Sequence, residues 1–151
     1  MAAPSFCDRD ELNPDLVRCT GPDGIQVELG NEDDRATVLH NDGGALEVYG
    51  QNGDDILTGS PDGDLLDGGA GDDTIFGGAG ADTLIGGVNR DDLTGGPGVD
   101  AFFGDANIDF IDARDGLAED VDCGGSPFDG DDRARVDTTD NTSRCEILII
   151  P

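Results

Sequence analysis

No lysine and no tryptophan occur in these 151 residues, and histidine, tyrosine and methionine appear once each. Each shortage excludes something. Eight arginines against 35 acids leave a formal charge of −27, so nucleic acid and anionic membrane surfaces are repelled rather than bound. His40 is the one imidazole and has no HExxH partner, which excludes a zinc protease. It reads as a solvated turn residue. No GxSxG elbow is present, because the GGSPF around Ser126 lacks the second glycine. Accidental carboxylate pairs are inevitable among so many acids, and nothing shapes a glycosidase pocket around a chosen pair. No apolar run is long enough to span a bilayer, so no membrane insertion is expected. The opening MAAPSFCDRD has no basic start followed by an apolar stretch, so no signal peptide is expected in it. Hydrophobic residues make up 35% and aromatics 5%, too little for a broad core. Without a counter-charge, such a chain cannot offset its conformational entropy and reads as disordered. The length suggests a single domain.

What is abundant is glycine, 25 residues of it, and its placement is periodic. From Gly50 to Asp112 the chain cuts into seven nine-residue units without an insertion: GQNGDDILT, GSPDGDLLD, GGAGDDTIF, GGAGADTLI, GGVNRDDLT, GGPGVDAFF and GDANIDFID. Position 1 is always glycine (Gly50, Gly59, Gly68, Gly77, Gly86, Gly95, Gly104). Position 6 is always Asp (Asp55, Asp64, Asp73, Asp82, Asp91, Asp100, Asp109). Position 8 is always large and apolar (Leu57, Leu66, Ile75, Leu84, Leu93, Phe102, Ile111). Further glycines stand at position 2 (Gly69, Gly78, Gly87, Gly96) and position 4 (Gly53, Gly71, Gly80, Gly98). Glycines at positions 1, 2 and 4 let the backbone turn through conformations closed to other residues. Position 8 then lies in a short strand.

A turn plus a strand covers half a coil, so two units make one full turn, and alternate units stack about 4.7–4.9 Å apart. One edge then carries Asp55, Asp73, Asp91 and Asp109, ending at Asp109. The other carries Asp64, Asp82 and Asp100. Between the edges Leu57, Ile75, Leu93 and Ile111 face Leu66, Leu84 and Phe102, while Phe103 and Phe110 point outward, partly covered by a terminal segment. Stacked carboxylates repel. Cations between rungs reverse that, and carboxylate and carbonyl oxygens in a flexible shell suit Ca²⁺ better than Mg²⁺, with about five inter-rung sites.

The units GGAGDDTIF, GGAGADTLI and GGPGVDAFF resemble the RTX, or haemolysin-type, calcium-binding nonapeptide GGxGxDxUx. The resemblance implies an all-β parallel β-roll, a right-handed β-solenoid with two nonapeptides per turn, that folds on meeting extracellular calcium, in a secreted bacterial protein. It carries the metal role onto the position-6 aspartates and onto the glycines at positions 1, 2 and 4 named above. Unit two departs at Asp62 and Gly63, unit five at Asn89, and unit seven at Asp105 and Asn107.

Outside the repeats the phase is lost. Residues 1–49 read as an N-terminal cap with irregular first rungs, 50–112 as the repeats and 113–151 as a C-terminal cap. Ile25, Val27 and Leu29, then Ala36 and Val38, then Leu46 and Val48 alternate as strands do, with Leu46 where an Asp belongs. The segment Gly130–Val136 echoes Asp33–Val38, as though both ends used a similar capping rung. Four cysteines flank the repeats, none in a zinc spacing. Their even number favours disulfides and an oxidising compartment. Of three connectivities, Cys7–Cys19 with Cys123–Cys145 is the most local, each bond closing one end; four reduced, buried thiols are the alternative. The Asn141-Thr142-Ser143 sequon carries little weight alone. Function is thus expected to be calcium binding by a monomeric structural or carrier module without catalysis. The alternatives are an accessory module that binds a protein or polysaccharide or aids export of a secreted enzyme, and an ice-binding solenoid, for which no outward Thr or Asn ladder is present.

Overall fold

A computed structural model describes residues 6–9, 16–20, 25–37, 44–125 and 132–149. His40, Val38, Ser126 and Gly130 lie outside them. Strands β1 (Phe6–Arg9), β2 (Leu16–Thr20), β3 (Ile25–Gly30), β4 (Arg35–Thr37) and β5 (Leu46–Asn52) lead into the repeats. The repeats supply β6 (Ile56–Thr58), β7 (Leu65–Ala70), β8 (Thr74–Phe76), β9 (Thr83–Val88), β10 (Asp92–Thr94), β11 (Ala101–Ala106) and β12 (Phe110–Asp112). Then follow β13 (Asp120–Asp122), β14 (Arg133–Arg135), β15 (Asn141–Ser143) and β16 (Ile147–Ile149). No helix occurs among the described residues.

The chain winds as a solenoid of about six turns between two sheets. One holds β2, β4 and every even strand to β16, with β1 antiparallel on β2; the other runs from β3 through the odd strands to β15. Apart from that first pair, every pairing is parallel and in register: Leu57 lies beside Ile75, Ile75 beside Leu93, Leu93 beside Ile111. Opposite them run Val48, Leu66, Leu84, Phe102 and Val121. Alternate residues of a strand face the same side, so each rung sends one large apolar side chain inward. The repeat members of both columns are fully buried. The core is one side chain thick per sheet, as the repeat spacing demands.

The coil does not stop at the repeats. Ala36 stacks on Leu57, and Ala134 stacks on Ile111 with Leu148 beyond it. The segments Asp33–Val38 and Gly130–Val136 were expected to be capping rungs. Their described residues are instead internal ones, since β2 precedes the first and β16 follows the second. Parallel backbone pairing fixes the stacking, while extra residues are absorbed in the corners between strands. That is why the rungs persist after the nine-residue phase is gone.

Cys123 is fully buried and bonded to Cys145, closing a separation of 22 residues. A loop of that length stabilises the last rungs by about 3 kcal/mol through the unfolded chain. At the other end the antiparallel register sets Cys7 opposite Cys19; the side chains, and with them the Cys7–Cys19 bond, lie outside the described residues. Phe110 is partly covered, with the Arg135 guanidinium 4.9 Å over its ring, whereas Phe103 is exposed. Arg114 pairs with Asp112 at 2.6 Å, and Arg144 pairs with Asp122.

Candidate metal centre

Position 6 and position 8 are two residues apart in an extended segment, so both face inward. The aspartates therefore stand in two buried columns beside the apolar ones. All seven are at most 4% exposed. Burying an ionised carboxylate is expensive unless it is compensated, and the backbone supplies half of that compensation. In the first column Asp73 Oδ1 accepts the Asp55 N–H at 2.8 Å, Asp91 Oδ1 that of Asp73 at 2.9 Å and Asp109 Oδ1 that of Asp91 at 3.0 Å. In the second, Asp82 Oδ1 accepts the Asp64 N–H at 2.8 Å and Asp100 Oδ1 that of Asp82 at 2.9 Å. Each carboxylate is thus tied to the rung before it.

The second oxygen is not tied. Oδ2 of Asp55, Asp73, Asp82, Asp91 and Asp109 is buried without a hydrogen-bond partner. Burial above all, opposed by the backbone N–H and reinforced by neighbouring carboxylates, raises these groups from the ordinary 3.8. Asp55 and Asp73 reach about 6, Asp82 and Asp91 about 7, and Asp109 about 8. Among the described residues no three carboxylate, thiol or imidazole side chains converge into a ready cluster. A cation held here would take carboxylate oxygens from successive rungs, with backbone carbonyls to complete its shell. The donor set is all hard oxygen, partly anionic and repeated at each rung, which fits Ca²⁺.

The glycines divide into two kinds. Positions 2 and 4 do carry the turn: Gly78 and Gly80 have φ of 113° and 112°, and Asn89 and Asn107 take the left-handed region at 93° and 86° where glycine is missing. Asn is the residue that tolerates this best after glycine, so units five and seven keep their turns. Position 1 corrects the expectation that its glycine serves backbone turning, since none of these glycines has positive φ. Its reason is space. A Cβ on Gly77 would lie 2.5 Å from Asp82 Oδ2 and 2.7 Å from the Gly95 carbonyl. The missing side chain is where the unpartnered oxygen sits. Gly77→Ala, which alters no charge, is therefore expected to lower stability in calcium by about 1–3 kcal/mol through overpacking. Thermal unfolding at fixed calcium measures it, and an unchanged midpoint would remove the steric account.

Unit two is built differently. Ser60 donates its N–H to Asp64 Oδ2 at 2.5 Å and its hydroxyl to Asp64 Oδ1 at 3.2 Å. Asp64 is thereby satisfied within its own turn. One turn earlier, Leu46 occupies the aspartate position and its N–H reaches Asp64 Oδ1 at 2.8 Å.

Sequence reasoning missed members at both ends. The first column does not end at Asp109, because Asp132 Oδ1 accepts the Asp109 N–H at 2.9 Å, across 23 residues. At its start Asp55 Oδ1 accepts the Asp34 N–H at 2.7 Å. The second column continues in Glu119 and Asp140. The signal was an acid two residues before a buried small or apolar residue, as in Asp34-Arg35-Ala36 and Asp132-Arg133-Ala134. A second, exposed row was missed too: Asp33 Oδ1 accepts the Asp54 N–H and Asp54 Oδ1 the Asp72 N–H, before Arg90 ends the row. The doubled acids at 33–34, 54–55 and 72–73 mark it.

Residues 49–84 and 76–111 match the family model of the RTX calcium-binding nonapeptide repeat, in four copies. No curated protein and no solved structure matches the chain. The matched repeat is non-catalytic and is typical of secreted bacterial proteins. The stretch it covers is the one in which every unit contributes an aspartate to one of the two columns.

Proposed function

We propose, from the premise that residues 49–111 are RTX calcium-binding repeats, that this chain is a secreted structural module whose coil is held together by calcium between its rungs. The observation that carries the reading is the set of five buried aspartate oxygens without a hydrogen-bond partner, four of them (Asp55, Asp73, Asp91 and Asp109) along one column and one (Asp82) in the other. Bound calcium supplies the positive charge that these oxygens and the net charge of −27 call for. The residues do the rest. Asp55, Asp73, Asp91 and Asp109 would hold ions along one edge, Asp64, Asp82 and Asp100 along the other, about five within the repeats. The position-1 glycines leave room for the carboxylates, and the glycines at positions 2 and 4 shape the loops around them. The buried Cys123–Cys145 bond supports an oxidising, extracellular setting.

Counting bound calcium by equilibrium dialysis on aspartate variants tests this. Asp73→Ala and Asp109→Ala are each expected to weaken two adjacent sites, because both have a carboxylate above and below. Asp64→Ala should cost less, since Ser60 already satisfies its carboxylate and Leu46 stands before it. Equal losses at Asp64 and Asp73 would sink the stacked-column reading.

A further inference from the structure

The far end of the coil is open. Among the described residues β15 is the last strand of one sheet and β16 the last of the other, and neither has a neighbour on its outer side. The pairing of β16 with β14 places Leu148 on the core column that runs through Ile111 and Ala134. Those two are fully buried, whereas Leu148 is 45% exposed. Thr142 holds the matching place beyond Val121 in the other column and is half-buried.

Sheet edges are ordinarily protected by charge, proline, a bulge or a covering segment. At the front of the coil β1 turns back antiparallel on β2. At the far end Asn141–Ser143 and Ile147–Ile149 contain no charged residue and no proline, in a chain whose formal charge is −27. These two strands therefore do not repel a second copy as the rest of the acidic surface would.

Shape and register select that occupant. A lone peptide strand would extend one sheet and leave the other edge bare. A second copy, turned by a two-fold axis across the end, brings an edge to each edge at once, because its two sheets have the same separation. Pairing is then antiparallel in both. Centred on Leu148 and on Thr142, it sets each of them against its own counterpart and Ser143 against Asn141. One residue further out, Arg144 of one copy falls opposite Asp140 of the other. The Arg144 guanidinium is already oriented by Asp122, with Nε donating at 2.6 Å, yet its side chain is 57% exposed. Antiparallel pairing also carries the two Glu146 residues to opposite ends of the β16 pair, so the acids of that corner stay apart.

We infer that two copies of this chain associate end to end through β15 and β16 about a two-fold axis, continuing both sheets and closing the core over Leu148. A coil of double length then takes the place of the monomer expected from the sequence. The end of the coil is narrow, so the dimer is a weak one, with a dissociation constant of about micromolar order.

Sedimentation velocity of the full chain in calcium, with its disulfide intact and at concentrations up to about 500 µM, is expected to show a monomer–dimer equilibrium. Leu148→Asp should raise the dissociation constant by at least about tenfold while the β signal stays unchanged. Thr142→Cys gives a second readout. The two-fold axis sets the two substituted residues opposite each other, with Cβ atoms about 4.5–5.5 Å apart, so mild oxidation should give one product of twice the mass that reductant reverses. A parent that stays monomeric throughout would overturn the inference. So would a ladder of higher oligomers, the mark of head-to-tail stacking, or a dimer that L148D leaves intact. Should L148D fail to fold, the cross-link decides, since no covalent dimer of T142C refutes the two-fold end.

Discussion

Stripping calcium with a chelator is expected to collapse the β signal of this protein to that of a largely unfolded chain, and adding calcium back should restore it cooperatively. The balance of forces requires this. The apolar core is one side chain thick, and beside it two columns of carboxylates are buried. Their Oδ1 atoms are satisfied by the rung before, while five Oδ2 atoms are not. The arginines sit mostly beyond residue 89 and are drawn to Asp112 and Asp122 there. Among the described residues no arginine pairs with the seven position-6 aspartates of the repeats. Ligand that binds only the folded state adds about 2.7 kcal/mol per site at a hundredfold excess over Kd, so several sites readily exceed the 5–15 kcal/mol by which domains are stable. Far-UV circular dichroism during a Ca²⁺ titration of chelator-stripped protein measures it, with Mg²⁺ as the control expected to do little because it demands a smaller, stricter shell. A spectrum already rich in β structure without metal would mean that the disulfide and end rungs hold the coil, and calcium would become an accessory.

Acid should act in opposite directions on the metal-free and the calcium-loaded protein. In the metal-free fold Asp55, Asp73, Asp82, Asp91 and Asp109 titrate between about 6 and about 8, against 3.8 for an ordinary aspartate, chiefly because burial disfavours their charge. The folded state binds more protons than the unfolded one over that window. Its stability from these groups is fully present below about pH 4 and is lost as pH rises through 6 to 8. Lowering pH from 8 to 5 in chelator should therefore recover β structure. In calcium the same protons compete with the ion for the same oxygens, so that drop should shift the calcium midpoint to higher concentration. Two pH series of circular dichroism, one with chelator and one at half-saturating calcium, check this. If acid weakened the metal-free fold between pH 8 and 5, the buried columns would not be what destabilises it.

The repeats were legible because the rule they obey is local. An 18-residue turn without insertions, as in the Asp55–Asp73 bond, brings identical positions into register. Gly77, Asp82 and Leu84 could therefore be assigned to a corner, a carboxylate edge and a core by counting alone. Composition supplied the rest of the argument, since a chain of this charge and low hydrophobicity is expected to need a counter-charge. The two parallel sheets, the column members within the repeats and the Cys123–Cys145 bond all follow that reading.

Counting failed where the corners change length. The step from Asp34 to Asp55 is 21 residues and that from Asp109 to Asp132 is 23, so the phase breaks although the rungs continue. Strand pairing, which depends on backbone hydrogen bonds and not on loop length, kept Ala36 and Ala134 in the core and brought Asp34, Asp132, Glu119 and Asp140 into the columns. Only the tertiary structure could separate glycines needed for conformation from those needed for space, because Gly77 is constrained by an oxygen of Asp82 and a carbonyl one turn away. Only it could show which carboxylates lack a partner. The sequence by itself determined the period, the resemblance to a calcium-binding repeat and the architecture; stacking decided how far the coil runs and which of its buried acids are left without a hydrogen-bond partner.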